Sequence, residues 1–172
     1  SPSGVDPGDR EHPLLVRVGP KQVFKYGGKC TKRRCMSGNW LFDLSLPDRR
    51  WRGDVIFAGD SPPPPNIEFA LAAPIGGRAG MFLVLGGRDA GGAVNGAWVG
   101  AMTMGNVGTS QPPLVTWTKI VQVHGVWPTK LKGASMVDMT SGCALLFGGD
   151  SFGTKAFVTN RRSYTVCYDE GQ

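Results

Sequence analysis

Hydrophobic residues in this chain alternate with polar ones or form short apolar runs, and clusters of glycine, proline, asparagine and aspartate separate these runs. No stretch keeps apolar residues at the i, i+3, i+4 and i+7 spacing of an amphipathic helix between start and stop signals. The pattern predicts β-strands and an all-β fold. The predicted strand segments are Leu14 to Val18, Val23 to Tyr26, Trp40 to Leu44, Met81 to Leu85, Val115 to Val123 and Ala144 to Phe147.

Three of these strands end in a Gly-Gly pair. The first glycines of successive pairs are 59 and 62 positions apart, which indicates one supersecondary unit used three times. Glycine accepts a positive φ and lets a neighbouring chain approach closely, so each pair predicts a crowded turn. The pairs are Gly27 and Gly28, Gly86 and Gly87, and Gly148 and Gly149.

An aromatic residue follows each glycine pair. Trp40 comes 12 positions after the first pair, Trp98 comes 11 after the second and Tyr164 comes 15 after the third. The first two units each contain a second tryptophan, Trp51 and Trp117, and each of these precedes a proline by 11 positions. We predict that the four tryptophans pack between units rather than stack on a ligand.

A strand ending in Gly-Gly, a strand carrying Trp or Tyr, a Trp opening the last strand and a proline before the next unit resemble the kelch repeat. Kelch proteins often place Arg and His before the first strand, and here only Arg10 and His12 approximate that feature. The resemblance implies a β-propeller, in which each repeat forms one four-stranded antiparallel blade with a period of ~50 residues.

The resemblance covers nearly the whole chain and implies a single propeller segment over residues 1–172. Blade 1 is expected at about 7–60, blade 2 at about 61–126 and a partial blade 3, lacking its fourth strand, at about 127–172. Because about 4–8 blades close a ring, three blades form an incomplete one. We expect the parent chain or oligomerisation to supply the missing blades.

The formal net charge of +6 is concentrated in three loops. In antiparallel blades the loops 29–38, 88–96 and 150–162 share one face of the molecule. This face is the predicted partner-binding surface, and it carries Asp89 and Asp150 as its acidic residues. It could attract an acidic protein or a nucleic-acid backbone, or it could serve solubility alone. Its basic residues are Lys29, Lys32, Arg33, Arg34, Arg88, Lys155, Arg161 and Arg162.

The family resemblance implies a non-catalytic scaffold for protein–protein interaction within a larger protein or assembly. Two alternatives remain open: an enzyme domain whose active site needs the missing blades, and a component of an RNA–protein assembly that contacts RNA through the basic loops. We expect no cofactor and no metal, since the histidines, His12 and His124, lie in different units. The aspartates Asp138, Asp150 and Asp169 are typical of turn caps.

The four cysteines, Cys30, Cys35, Cys143 and Cys167, do not have the spacing of a zinc site. We expect four free thiols, with a Cys30–Cys35 disulfide as the alternative. No apolar run reaches the ~18–20 residues that cross a bilayer, and no signal peptide opens the chain. These features predict an intracellular, cytoplasmic location without membrane contact.

Two short motifs have structural interpretations. The tripeptide Arg52-Gly53-Asp54 matches an adhesion motif, but it falls where the fourth strand of the first unit is expected to continue. The prolines Pro62 to Pro65 could form a polyproline ligand, and a stiff connector between blades is the favoured interpretation.

Overall fold

The computed structural model describes residues 7–30, 39–46, 49, 51–94, 96–105, 111–121, 131–139, 142–151 and 163–168. These residues contain strands, turns and bends but no helix, so the prediction of an all-β fold is confirmed. The strands are β1 (Arg10–Glu11), β2 (Leu14–Gly19), β3 (Gln22–Tyr26), β4 (Lys29–Cys30), β5 (Trp40–Asp43), β6 (Trp51–Arg52), β7 (Ile56–Ala58), β8 (Leu71–Pro74), β9 (Met81–Leu85), β10 (Arg88–Asp89), β11 (Gly92–Ala93), β12 (Ala97–Thr103), β13 (Leu114–Lys119), β14 (Leu131–Lys132), β15 (Ser135–Met139), β16 (Cys143–Phe147), β17 (Asp150–Ser151) and β18 (Ser163–Cys167).

Three larger sheets carry most of the fold. The first sheet has the strand order β2-β3-β5-β6, the second has the order β7-β13-β12-β9-β8, and the third has the order β15-β16-β18. Every pairing within them is antiparallel except the one between β7 and β13. Strand β8, at the edge of the second sheet opposite β7, contacts the first strands of the other two sheets, β2 and β15.

The parallel strand β7 joins the second sheet, although it follows the last strand of the first sheet in sequence. Ile56 lies opposite Leu114, and its backbone N–H donates a hydrogen bond of 2.9 Å to the carbonyl of Pro113. Residues 7–60, predicted to form one blade, therefore contribute strands to two sheets. Such an exchange of a strand links neighbouring sheets through backbone hydrogen bonds.

Each sheet has two distinct faces. We call the face carrying Trp40, Trp98 or Tyr164 the front face, and the face carrying the residue three positions before each Gly-Gly pair the back face. Alternation along β2 shows the pattern: Leu14, Val16 and Val18 are buried on the back face, while the intervening side chains are exposed. This alternation follows from the two-residue period of a strand.

Two apolar cores lie between the sheets. The larger core joins the back face of the first sheet, including Phe24, to the front face of the second, including Phe82 and Trp98. The smaller core joins the back face of the second sheet, including Leu83, to the front face of the third, including Leu146. The sheets therefore stack in sequence order, with front face on back face at both contacts.

Candidate functional site at the loop face

The tryptophans and the tyrosine chosen from the sequence repeat occupy matching register positions. The residue two before each Gly-Gly pair lies opposite the aromatic residue of the next strand. The pairs are Lys25 with Trp40, Val84 with Trp98, and Leu146 with Tyr164.

The second tryptophans also match in register but differ in surroundings. Trp51 lies opposite Phe42, and Trp117 lies opposite Gly100. Phe42 and Gly100 each come two positions after the first tryptophan of their unit. Trp117 is buried between the first and second sheets, with its ring 6.2 Å from that of Phe24. Trp51 is only half-buried, since no described sheet covers the front face of the first sheet.

The six glycines of the three pairs all have positive φ, between 61° and 92°. The second glycine of each pair packs against the chain entering the first strand of its unit. A Cβ added at Gly28 would lie 3.0 Å from Pro13 Cα, and one at Gly87 would lie 3.1 Å from Ala70 Cα. In the third unit, a Cβ at Gly149 would lie 2.7 Å from the Cβ of Ala134. These positions require the close approach predicted from the sequence.

Directly after each glycine pair, the chain pairs antiparallel with the segment before the first strand of its unit, and the facing residues have opposite formal charges. The pairing is a two-residue ladder in the first and third units and a single bridge in the second. The facing pairs are Glu11 with Lys29, Glu68 with Arg88, and Lys132 with Asp150. Opposite charges on facing strands stabilise a ladder by about 0.2–1 kcal/mol. The ladders secure the start of each loop that the sequence assigns to the basic face.

The second unit shows this arrangement in most detail. Glu68 and Arg88 exchange two backbone hydrogen bonds of 2.9 Å each. Arg88 Nε also donates to Glu68 Oε1 at 2.6 Å, and the arginine side chain remains 44% exposed. The predicted cation Arg88 is therefore paired with a carboxylate that the sequence analysis missed. The signal was present, because a charged residue follows all three glycine pairs.

Arg10 binds the turn formed by the first glycine pair through its side chain. Its Nη1 donates hydrogen bonds of 3.0 and 3.1 Å to the carbonyls of Gly27 and Gly28. Burial lowers the pKa of the Arg10 guanidinium from its usual value. His12 has a positive φ of 52° and stacks on Phe69 with ring centroids 3.8 Å apart. Both residues thus have structural roles beside the turn.

An open cavity of about 770 Å3 lies between the turns of the first and second units. Lys29 and Arg88 line it from different sheets, together with Asn66 and Glu68 from the connector and Asp89 from the loop. Two cations, two carboxylates and an amide can make directional contacts with a partner that carries charge of either sign. Lys29 and Arg88, the two described basic residues of the predicted surface, thus line one cavity.

The other six basic residues, Lys32, Arg33, Arg34, Lys155, Arg161 and Arg162, lie outside the described residues. Within the described residues, no cluster of three His, Cys, Asp or Glu side chains could hold a metal ion. No described helix is long and apolar enough to cross a membrane.

The expectation of four free thiols is wrong. Cys143 and Cys167 form a disulfide, because β16 and β18 pair in a register that places them directly opposite each other. Their separation of 24 residues gave no hint of this contact. The alternative Cys30–Cys35 pairing involves Cys35, which lies outside the described residues.

The expected continuation of the fourth strand through the Arg-Gly-Asp tripeptide is also wrong, since β6 ends at Arg52. Asp54 is exposed and instead accepts hydrogen bonds of 3.1 and 2.6 Å from Arg52 Nε and Nη2. A Cβ on Gly53 would lie 2.8 Å from the Trp40 ring, so this glycine is needed where the chain covers the tryptophan.

The proline connector is anchored in the fold. Pro64 is fully buried, and its carbonyl accepts a short hydrogen bond from the hydroxyl of Tyr26. Burial raises the pKa of Tyr26 to about 12. These contacts favour the connector interpretation over a polyproline ligand, because Pro64 is inaccessible to a partner.

No protein-family model matches the sequence, and no curated protein matches it. Among solved structures, the fold is similar to a chain in the cryo-EM structure of RAG in complex with one melted RSS and one unmelted RSS. The TM-score is 0.65 at 17% identity, over 95% of this chain. The matched region spans only 49% of that chain. The likeness concerns the fold alone.

Proposed function

We propose that this chain is a segment of a kelch-type β-propeller and acts as a non-catalytic scaffold that binds a protein partner at its loop face. The matching register of Trp40, Trp98 and Tyr164 supports three copies of one structural unit. The contacts of β8 with β2 and β15 support a radial arrangement, since the first strands of propeller blades gather around a common axis.

The observation that carries the binding proposal is the shared cavity. Lys29 and Arg88 come from different sheets and line the same opening, which supports the proposal that the loops they begin share one face. Loops held by a rigid scaffold are the usual location of binding residues. The net charge of +6 favours an acidic partner surface.

The same charge supports nucleic acid as a second candidate partner. Binding through phosphates releases counterions, so affinity for a nucleic acid falls steeply and linearly on a log–log plot against salt. An acidic protein surface shows a weaker dependence, because its contacts combine charge with apolar burial and shape. A salt series therefore separates the two candidates.

Charge reversal tests the proposed face. The unsubstituted chain should capture partner proteins from cell extract, and mass spectrometry identifies them. The variant Lys29→Glu, Arg33→Glu, Arg34→Glu should no longer bind these proteins. The matched control is Arg17→Glu, Lys21→Glu, Arg49→Glu, which makes the same charge change at exposed positions toward the opposite end of the first sheet from these loops. Both variants should keep the stability of the unsubstituted chain, since exposed charges contribute little to folding and Lys29, Lys21 and Arg49 are exposed.

The outcomes separate clearly. Loss of partners in the loop variant and retention in the control support the proposal. Equal capture by all three proteins would show that the binding site lies elsewhere. Binding of a single-stranded oligonucleotide by the parent, lost in the loop variant and steeply dependent on salt, would support the second candidate instead.

A further inference from the structure

Among the described residues, the two apolar contacts between faces of the larger sheets are of one kind. The front face of the second sheet covers the back face of the first, and the front face of the third covers the back face of the second. Two faces therefore remain without a partner among the described residues: the front face of the first sheet and the back face of the third. One is a front face and the other is a back face, and these are the two kinds of face that pack together in each contact described above.

The back face of the third sheet exposes large apolar side chains. Val137, Phe147 and Met139 are 58%, 63% and 39% exposed. The residues at equivalent register positions on the covered back faces are buried. Val16 is equivalent to Val137 and is 3% exposed, and Leu85 is equivalent to Phe147 and is also 3% exposed. The exposed side chains therefore stand where this fold places core residues.

The front face of the first sheet also exposes apolar side chains, beside Trp40, which is 3% exposed because Gly53 lies against its ring. Leu15 is 53% exposed, and Phe42 and Trp51 are half-buried. Trp117, the register equivalent of Trp51, is 3% exposed under a neighbouring sheet. The Lys25 ammonium lies 5.6 Å from the centre of the Trp51 ring, so its charge is held against an aromatic side chain.

We infer that these two faces bind each other between two copies of this chain, head to tail. The contact repeats the front-on-back packing already present twice within the chain. Adjacent sheets of this type bury several aromatic and aliphatic side chains, and each fully buried one is stabilising. Because the faces are unlike, the interface is heterologous.

A dimer that forms both contacts is closed and leaves neither face exposed. Such a dimer would contain twice the residues of one chain. Open head-to-tail growth would use the same two faces.

Sedimentation velocity tests the inference in the micromolar range. The parent chain should sediment as a dimer, with about twice the monomer mass. Val137→Asp blocks the back face of the third sheet, and Leu15→Asp blocks the front face of the first. Each variant alone should be monomeric, because every head-to-tail contact needs both faces. An equimolar mixture of the two variants should regain dimers, since the mixture contains one intact copy of each face.

Ile56→Asp is the matched control. Ile56 is 49% exposed on the outer strand of the second sheet, away from both faces, so this variant should associate like the parent. Far-UV circular dichroism confirms that each variant is folded. A monomeric parent, a single variant that still dimerises, a mixture that stays monomeric, or a dimer held by an intermolecular disulfide would each overturn the inference.

Discussion

At the residue scale, two glycines of the repeat have the same backbone conformation but different surroundings. Gly27 has a φ of 66°, and a Cβ at this position would lie 2.3 Å from the carbonyl oxygen of Ile67. That carbonyl also accepts a hydrogen bond of 2.8 Å from the N–H of Gly28, so it has little freedom to move. Gly148 has a φ of 71°, and a Cβ there would meet no atom within 4 Å.

Substitution of these two glycines separates backbone strain from steric overlap. Gly148→Ala should lower the free energy of unfolding by about 1–2 kcal/mol, the cost of a left-handed conformation. Gly27→Ala should lower it by about 2–5 kcal/mol, because overpacking adds to that strain. Urea unfolding measures both values. Equal losses at the two positions would contradict the close packing of Gly27.

A second residue-scale feature is the carboxylate of Asp43, which ends strand β5. Burial alone would raise its pKa, but hydrogen bonds from Ser45 and Gln22 and the charge of Arg52 outweigh burial and lower the pKa. Ser45 donates to Asp43 Oδ1 through its hydroxyl at 2.5 Å and its backbone N–H at 2.9 Å, and Gln22 Nε2 donates at 3.0 Å. The ionised form is thus favoured by folding.

The lowered pKa of Asp43 predicts a specific dependence of stability on pH. The stabilisation is fully present above the unfolded-state pKa of about 3.9 and is lost as the pH falls through the lower folded-state pKa. Asp43→Asn should therefore cost about 1–2 kcal/mol at neutral pH, and the difference from the parent should shrink in strong acid. Urea unfolding at several pH values measures it.

The exposed Asp60 provides the control for this comparison. Asp60→Asn should leave the free energy of unfolding close to that of the parent at each pH. A destabilisation by Asp43→Asn that stays constant into strong acid would show that shape, rather than charge, accounts for the effect.

At the element scale, the strands keep one register in every unit, while their burial depends on the neighbouring sheet. Trp51 and Trp117 hold equivalent places in the fourth strands of their sheets. Trp117 contacts the rings of Phe24 and Tyr26 in the first sheet across the larger core, whereas Trp51 contacts Phe42 and Lys25 within its own sheet. Their energetic contributions should therefore differ.

Alanine substitution should reveal this difference in the free energy of unfolding. Trp117→Ala should cost about 3–5 kcal/mol, as expected for a fully buried large aromatic side chain. Trp51→Ala should cost about 1–2 kcal/mol in the monomer, from partial burial and the loss of the cation–π contact. Both values are measured at a protein concentration low enough to prevent association. Equal costs would show that the front face of the first sheet is covered in solution.

At the scale of the whole molecule, the three sheets have unequal protection. The second sheet is covered on both faces, whereas described residues cover only the front face of the third, which ends in the edge strand β18. A strand with a row of unpaired backbone groups opens more easily than a central one. The disulfide between Cys143 and Cys167 limits how far β18 can separate from β16.

Hydrogen exchange should follow this order. Backbone amides of β9 and β12 should exchange more slowly than those of β16 and β18 in the monomer, because opening the third sheet disrupts only the smaller core. Mass spectrometry of exchanged peptides measures the rates. Slower exchange in the third sheet than in the second would contradict this hierarchy of stability.

The sequence by itself determined the strands, the repeat and the turns, because these depend on neighbouring residues. A short apolar run between turn residues predicted β9, whose bounds Met81–Leu85 match the prediction. The glycine pairs predicted positive φ at Gly27 and Gly148, since few other residues accept that conformation. The regular spacing placed Trp40 and Trp98 in equivalent registers.

Only the tertiary structure decided the contacts between distant segments. The pairing of Cys143 with Cys167, the ion pair of Glu68 with Arg88 and the transfer of β7 to the second sheet join residues at least 20 positions apart. Such contacts depend on strand register and on which sheet lies next to which, and no local pattern encodes either. The exposure of Val137 has the same origin, because an alternating strand specifies an apolar face but not the surface that covers it.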